Sequence, residues 1–292
     1  MSADTVSPGI SIVITSYAGL APCLFLEEVI ALREHHDLDV IVVDAARDFV
    51  HGGTAEFRHV SCPGRTIQGM MAEGIRLARH DWVLITEDHC RPMPGLIHAY
   101  LQAIADHPEI DLHGGSVANL TTTSPWSHAA FVTGLGDHWS AAGDMAAGAT
   151  NANMLIRRTA ILGEELDRPA ALLNITVPRL VGSGRYRPCP EAIVDHVVAL
   201  KGLEAVTFVT HCTLESAADR RMVEPRLPLG RSLYRALAGF LWCAWLHPLH
   251  VFGQLRKASQ FSIAMALRVL VIGTGVGLAR MKADLAHAIA RR

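Results

Sequence analysis

The chain has 292 residues, half of them apolar, with a formal charge of −2; this suits one large α/β domain or a domain with an appendage and rules out a small stapled fold. No basic block is present to track a phosphate backbone, which argues against nucleic acid as a partner. Six cysteines (Cys23, Cys62, Cys90, Cys189, Cys212 and Cys243) include no C-x-x-C pair, against a structural zinc site or a disulfide framework and in favour of a reducing compartment. Met1 to Gly9 is short and polar, and the apolar run behind it has neither a basic lead-in nor a small-residue cleavage site.

Ile10 to Thr15 reads as a strand ending in the small polar turn Ser16-Tyr17-Ala18-Gly19. Pro22 opens a helix whose apolar Leu24, Val29, Ile30 and Leu32 carry it to about His35. Val40 to Val43 is strand again and stops at Asp44. Two parallel-type strands joined by a helix, each ending in polar residues, make a βαβ unit with its functional edge on one side. A short strand follows around Phe57 to Val60. The next helix, Thr66 to Arg79, turns Ile67, Met70, Met71, Ile75 and Leu77 toward a core.

That helix feeds Trp82-Val83-Leu84-Ile85-Thr86, a strand buried on both faces, which stops abruptly at Glu87-Asp88-His89 and at Pro92 and Pro94. In open α/β sheets ligands lodge outside such strand ends. Aspartate there is a usual means of holding a hard divalent cation against a diphosphate. The alternative is that Glu87 and Asp88 solvate a turn and cap the helix that starts near Pro94.

Leu96 to Ala105 is a further helix, and Ile110 to Val117 a strand interrupted by Gly114-Gly115. The pair marks either close approach by a ligand or second backbone, or a bulge. Asn119 to Gly148 is rich in small residues, with Trp126, Phe131 and Trp139 at intervals and no clean period, as site loops and lids are. Asn151-Ala152-Asn153 precedes the short strand Met154-Leu155-Ile156, and a helix begins near Thr159. Glu164, Glu165 and Asp167 cluster behind it, as site groups or as ordinary helix flanks. Tyr186 to His196, with Pro188 and Pro190, reads as an edge strand.

The tail differs in kind. Leu233 to Leu255 and Phe261 to Ala279 are apolar and near bilayer-spanning length, yet hold Arg235, His247, Pro248, His250 and Arg268. Basic residues bracket both (Arg231, Arg256, Lys257, Arg280 and Lys282), which suits helices lying in the interface of an anionic leaflet; a soluble helical pair is the alternative. Gly273-Thr274-Gly275-Val276-Gly277 imitates a dinucleotide loop but lacks the last glycine of G-x-G-x-x-G, and its spacing matches close helix packing.

Taken together, Thr15-Ser16-Tyr17, the strand ending Val42-Val43-Asp44, Thr86-Glu87-Asp88-His89-Cys90-Arg91-Pro92, Gly114-Gly115-Ser116-Val117-Ala118-Asn119 and Asn151-Ala152-Asn153 resemble the family 2 glycosyltransferases. The resemblance is to a branch with Glu-Asp-His in place of Asp-x-Asp, and it covers roughly Ser11 to His196. It implies a GT-A-like, Rossmann-like, mainly parallel sheet flanked by helices over residues 1–225, with an apolar helical tail over 226–292 that meets the cytoplasmic face of a membrane, peripherally or shallowly inserted. The implied activity moves a sugar, with inversion, from a nucleotide-diphosphate donor to a hydroxyl on a lipid, glycan or small-molecule acceptor. By motif position Thr15, Ser16, Tyr17 and Asp44 would face the nucleoside, with Glu87, Asn151 and Asn153 also on the donor. Asp88 and His89 would hold Mg2+ or Mn2+. The acid that takes the acceptor's proton in that family has no match in residues 170–174, ahead of Arg179-Leu180-Val181-Gly182-Ser183-Gly184, so Glu164 and Glu165 are the candidates for the base. If neither serves, the chain is a non-catalytic relative that binds a nucleotide sugar.

Overall fold

The computed structural model describes residues 8–16, 23–32, 36–45, 57–120, 124–142, 148–168, 170–223 and 229–290. The chain divides into two compact units, Met1–Ala118 with Ala146–Val197 and Asn119–Met145 with Val198–Arg292.

The first unit is built on strands β1 (Ile10–Ser16), β2 (Leu38–Asp44), β3 (Arg58–Ser61), β4 (Trp82–Glu87), β5 (Cys90–Pro92), β6 (Leu112–Ala118), β7 (Asn153–Arg157) and β8 (Tyr186–His196). They form one mixed sheet in the order β3-β2-β1-β4-β7-β6-β8-β5. β1 and β2 are buried at every position, as parallel strands covered on both faces are; the buried Ser11 and Asp39 answer each other, the hydroxyl donating to Oδ2 at 2.9 Å. β3, β2, β1 and β4 run parallel; β7 runs against β4 and β6, and β5 against β8. Helices α1 (Leu24–Leu32), α2 (Ile67–Leu77), α3 (Leu96–Asp106), α5 (Gly163–Asp167) and α6 (Val177–Gly182) complete this unit, α4 belonging to the other. The Thr66 hydroxyl caps α2 by accepting from Gly69 N at 3.2 Å. Met70, Met71 and Ile75 of α2 enter a core with Val13, Ile41, Ile85, Leu112 and Met154. The mixed α/β architecture expected from the strand and helix pattern is the one found.

Register aligns the strand ends. Ser16 lies opposite Asp44 and Thr15 opposite Glu87, so three carboxyl-terminal tips share one edge. The chain then leaves β4 and begins β5 only three residues after Glu87, although β7, β6 and β8 intervene in the sheet. Four strand steps in a flat sheet cover roughly 19 Å, whereas three residues reach at most about 11 Å. The sheet therefore curls until its β4 and β5 ends meet.

β8 pairs with β6 along most of its length and with β5 only at Val194 to His196, so the stretch that carries Pro188 and Pro190 has one strand neighbour, as an edge does, and the strand is covered on both sides only at its end. Pro188 stands in the β6 ladder opposite Gly114 with no strand on its other side among the described residues, and Pro190 falls in the slip between Gly115 and Ser116 that leaves Pro190 to Ala192 out of the ladder. The glycine pair serves close approach by protein. A Cβ on Gly114 would lie 2.8 Å from the Gly148 carbonyl, and one on Gly115 would lie 2.2 Å from Asn153 Nδ2 and 2.4 Å from the Tyr100 hydroxyl. That hydroxyl donates to Asn153 Oδ1 at 2.7 Å, while Asn153 Nδ2 donates to the carbonyls of Ser116 and Ala192. Gly115→Ala should thus wedge open a fully buried hydrogen-bond cluster and cost about 3 kcal/mol, read as a lowered urea midpoint; an unchanged midpoint would show that the cluster relaxes freely.

The second unit is helical: α4 (Pro125–Leu135), α7 (Leu203–Val223), α8 (Leu229–Leu241), α9 (His247–Lys257) and α10 (Ile263–Ala290). α4 lies within the stretch expected to be loop. Ser124 starts it by accepting from Ser127 N, and Pro125 follows at the first helical turn. A π-helical turn, Trp242–Leu246, joins α8 to α9 in one rod. The glycine-rich run lies within α10, where a Cβ on Gly273 would sit 2.5 Å from the Cys243 carbonyl and one on Gly277 3.1 Å from Phe240. Its role is close helix packing.

Candidate metal centre

Three side chains converge where the curled sheet closes. Glu87 ends β4, His89 lies in the turn to β5, and His196 ends β8, opposite Cys90 in the β5–β8 ladder. His89 Nε2 is 2.9 Å from His196 Nε2 and 3.3 Å from Glu87 Oε2, and His196 Nε2 is 3.7 Å from the same carboxylate oxygen. One ligand atom from each lies within 4.8 Å of the others. The two imidazoles and the carboxylate are almost covered, at 12%, 8% and 12% exposure for His89, His196 and Glu87.

The neighbours of the trio fix its orientation. Asp88 Oδ1 sits 2.9 Å from His89 Nδ1, so that nitrogen donates to the carboxylate and Nε2 turns toward Glu87 and His196. A carboxylate behind a histidine ligand sets its tautomer and raises its basicity. Asp88 itself is tied down by its backbone, donating from N to the Thr15 carbonyl and accepting at its carbonyl from Leu24 N. Asn151 Nδ2 donates to Glu87 Oε1 at 2.6 Å, leaving Oε2 to face the histidines.

The electrostatics follow from this packing. Burial works against a charge on His89, but Glu87 and Asp88 together overcome it and push its pKa up to about 10. Burial, and then the cation beside it, hold His196 well below the ordinary histidine range. The arrangement thus favours a proton on His89 and disfavours one on His196. The donor set, two imidazole nitrogens and one carboxylate oxygen converging on one point, fits a divalent transition metal. Asp88 Oδ2 is buried with no hydrogen-bond partner among the described residues.

The residues expected at the site divide as follows. Glu87 and His89 lie in the cluster. Asp88, expected as a ligand, points one carboxylate oxygen at His89 Nδ1. Thr15 and Ser16 are buried at the tip of β1; Thr15 Oγ1 donates to the Thr86 carbonyl at 3.2 Å. Asp44 is buried at the tip of β2, its Oδ2 3.7 Å from His59 Nε2. Tyr17 lies outside the described residues. Asn151 supports Glu87, whereas the Asn153 amide is bonded within the core.

Glu164 and Glu165 lie away from this cluster. β7 runs against β4, pairing Arg157 with Trp82, so the chain leaves β7 at the edge opposite Glu87. There Arg158 N donates to the Asp81 carbonyl, and Arg76 at the end of α2 donates to the Leu166 carbonyl at 2.5 Å. β4 alone separates the two edges by roughly 17 Å. Glu165 pairs with Arg179, Oε2 to Nη2 at 2.8 Å, and accepts from Leu162 N at 3.0 Å. Burial opposes its charge, but these bonds prevail and lower its pKa. Glu164 is exposed at that same far edge.

His196 was absent from the expected set. Its signal was nonetheless present: Asp195-His196 closes a strand with an acid and a histidine, as Glu87-Asp88-His89 does 107 residues earlier.

No family model matches the chain, and no curated protein matches it. Among solved structures it is similar to a mannosyltransferase from Pyrobaculum calidifontis in complex with GDP-Man and Mn2+, at 16% identity over 98% of this chain and 87% of that one, TM-score 0.44. It is also similar to mannosyl-3-phosphoglycerate synthase from Rubrobacter xylanophilus, at 18% identity over 76% of each chain, TM-score 0.46. A mycobacterial protein matches at 12% identity over 72% of this chain and 75% of that one, TM-score 0.41.

Proposed function

We propose that this chain is a divalent-metal-dependent glycosyltransferase that uses a nucleotide-diphosphate sugar. The observation that carries the reading is the convergence of Glu87, His89 and His196 at the carboxyl-terminal edge of the sheet, in register with the tips of β1 and β2. Ligands of open α/β sheets bind beyond this edge. Ser16 and Asp44, on the adjacent strands, are where the motif order puts the nucleoside. Glu87 Oε2, His89 Nε2 and His196 Nε2 would hold the metal, and the mixed nitrogen and oxygen set favours Mn2+ over Mg2+, which prefers oxygen alone. When bound, the metal supplies positive charge against a departing diphosphate. The protein's own part is orientation: Asn151 aims the Glu87 carboxylate, Asp88 aims the His89 ring, and near-complete burial keeps both from turning away.

Deprotonation of an acceptor hydroxyl requires a base within hydrogen-bond reach, and Glu164 and Glu165 are at the wrong edge. This placement favours, as the second reading, a protein that binds the donor without transfer. Incubation with a panel of UDP- and GDP-sugars, Mn2+ and lipid, glycan and small-molecule hydroxyl acceptors separates the two. Metal-dependent release of the nucleoside diphosphate with a glycosylated product is expected. Calorimetric binding of a donor with no product across the panel would establish the second reading, and neither binding nor product would sink both.

A further inference from the structure

The basic residues of the chain are unevenly placed. Nine of its 26 Lys and Arg fall in residues 229–292 (Arg231, Arg235, Arg256, Lys257, Arg268, Arg280, Lys282, Arg291 and Arg292), where Asp284 is the one acid in the sequence; residues 1–228 hold seventeen bases and twenty-seven acids. Asp284 is itself ion-paired with Arg221 and lies 3.8 Å from Arg280. The helical segment is thus cationic within a chain of slightly negative charge.

The outward face of the α8–α9 rod is apolar. Leu233, Tyr234, Leu237, Leu241, Trp242, Trp245, Leu246 and Leu249 are all between 44% and 75% exposed. They recur at three- and four-residue steps, so they form one stripe about 25 Å long. Exposed Arg231 precedes the stripe, and exposed Arg256 and Lys257 follow it. Contiguous exposed apolar surface of this extent marks a docking face. Indole and phenol rings beside leucine, framed by cations, match the boundary between acyl chains and anionic headgroups.

The opposite face of the rod is occupied. Cys243 meets Gly273 of α10, and α9 is tied to the α4 region by His247 Nε2 to the Thr133 carbonyl at 2.7 Å and His250 Nε2 to Asp137 Oδ1 at 2.5 Å. α10 packs in turn against α4 and α7, and α7 carries Glu204, Glu215, Arg220 and Arg221. A bilayer crossing by the rod and α10 would draw these polar neighbours into hydrocarbon or strip them away.

We propose that the α8–α9 face docks in plane on an anionic lipid bilayer, its Trp and Leu side chains entering the headgroup boundary and its basic ends meeting lipid phosphates. This assignment stands apart from any transfer chemistry at the metal centre. The test is co-sedimentation of the full chain with phosphatidylcholine vesicles, with and without phosphatidylglycerol. Binding is expected to be about tenfold or more tighter to the anionic vesicles and to weaken as salt rises. Trp245→Ser with Leu249→Ser, both more than 60% exposed, should lower the partition coefficient at least about tenfold while the thermal unfolding midpoint stays near the parent's. Equal sedimentation with and without vesicles, or an unweakened double variant, overturns the proposal. So does resistance to alkaline extraction, which would indicate a crossing, and so does self-association abolished by the double variant in the absence of lipid binding, which would make the face a contact between copies.

Discussion

Replacing His196 with alanine is expected to abolish calorimetrically detectable Mn2+ binding and, with it, any metal-dependent turnover of a nucleotide sugar. The variant removes one of the three groups proposed as ligands, whose donor atoms lie within 4.8 Å of one another, and Glu87 with His89 alone would make a weak chelate. Asp88→Asn should behave differently. It leaves all three ligands in place but weakens the carboxylate that holds His89 Nδ1, and losses of that kind run at about 10- to 100-fold in metal affinity. Both variants should keep the parent's far-UV spectrum. Mn2+ binding by His196→Ala at parental strength would remove the site, and complete loss in Asp88→Asn would make Asp88 a ligand after all.

Lowering the pH from 7 to 4 should strip about 3 kcal/mol of stability through one side chain, His113. It is fully buried in β6 between Leu155 and Arg187 on the neighbouring strands, with its ring 5.7 Å from Trp82. Neither ring nitrogen has a hydrogen-bond partner among the described residues. Burial, then the charges of His107, Arg157 and Arg187, push its pKa down to about 4. The sign follows from linkage: between about pH 4 and 6.5 the unfolded chain binds the proton and the native chain does not, so stability rises with pH through that window and is flat above it. By pH 5 the loss should already be about 2 kcal/mol. Urea midpoints of the parent and of His113→Phe at pH 7 and pH 5 check this; a variant as acid-labile as the parent would assign the loss elsewhere.

Much of the first unit is legible in order along the chain. The runs Ile10 to Thr15, Val40 to Val43 and Trp82 to Thr86 are mostly apolar and end at Ser16, Asp44 and Glu87, as buried parallel strands with polar tips do. The α2 period and the two apolar tail helices are equally plain. α4 was missed because a helix buried on several sides shows little periodicity, and its small residues read as loop. β5 was missed because three residues carry no period at all.

What the sequence by itself determined is local: which segments are strand or helix, where each strand stops, and that an acid and histidine cluster stands at the tip of β4. Those properties depend on neighbours within a few residues, through pleat, helical turn and turn chemistry. Only the tertiary structure decided which groups face one another there. Strand pairing and the curl of the sheet bring His196 to His89, put Asp88 behind the ring, and send Glu164 and Glu165 to the far edge. Alternation along a strand says which face a side chain takes; the order and direction of strands, set by packing across the whole unit, say which edge it reaches.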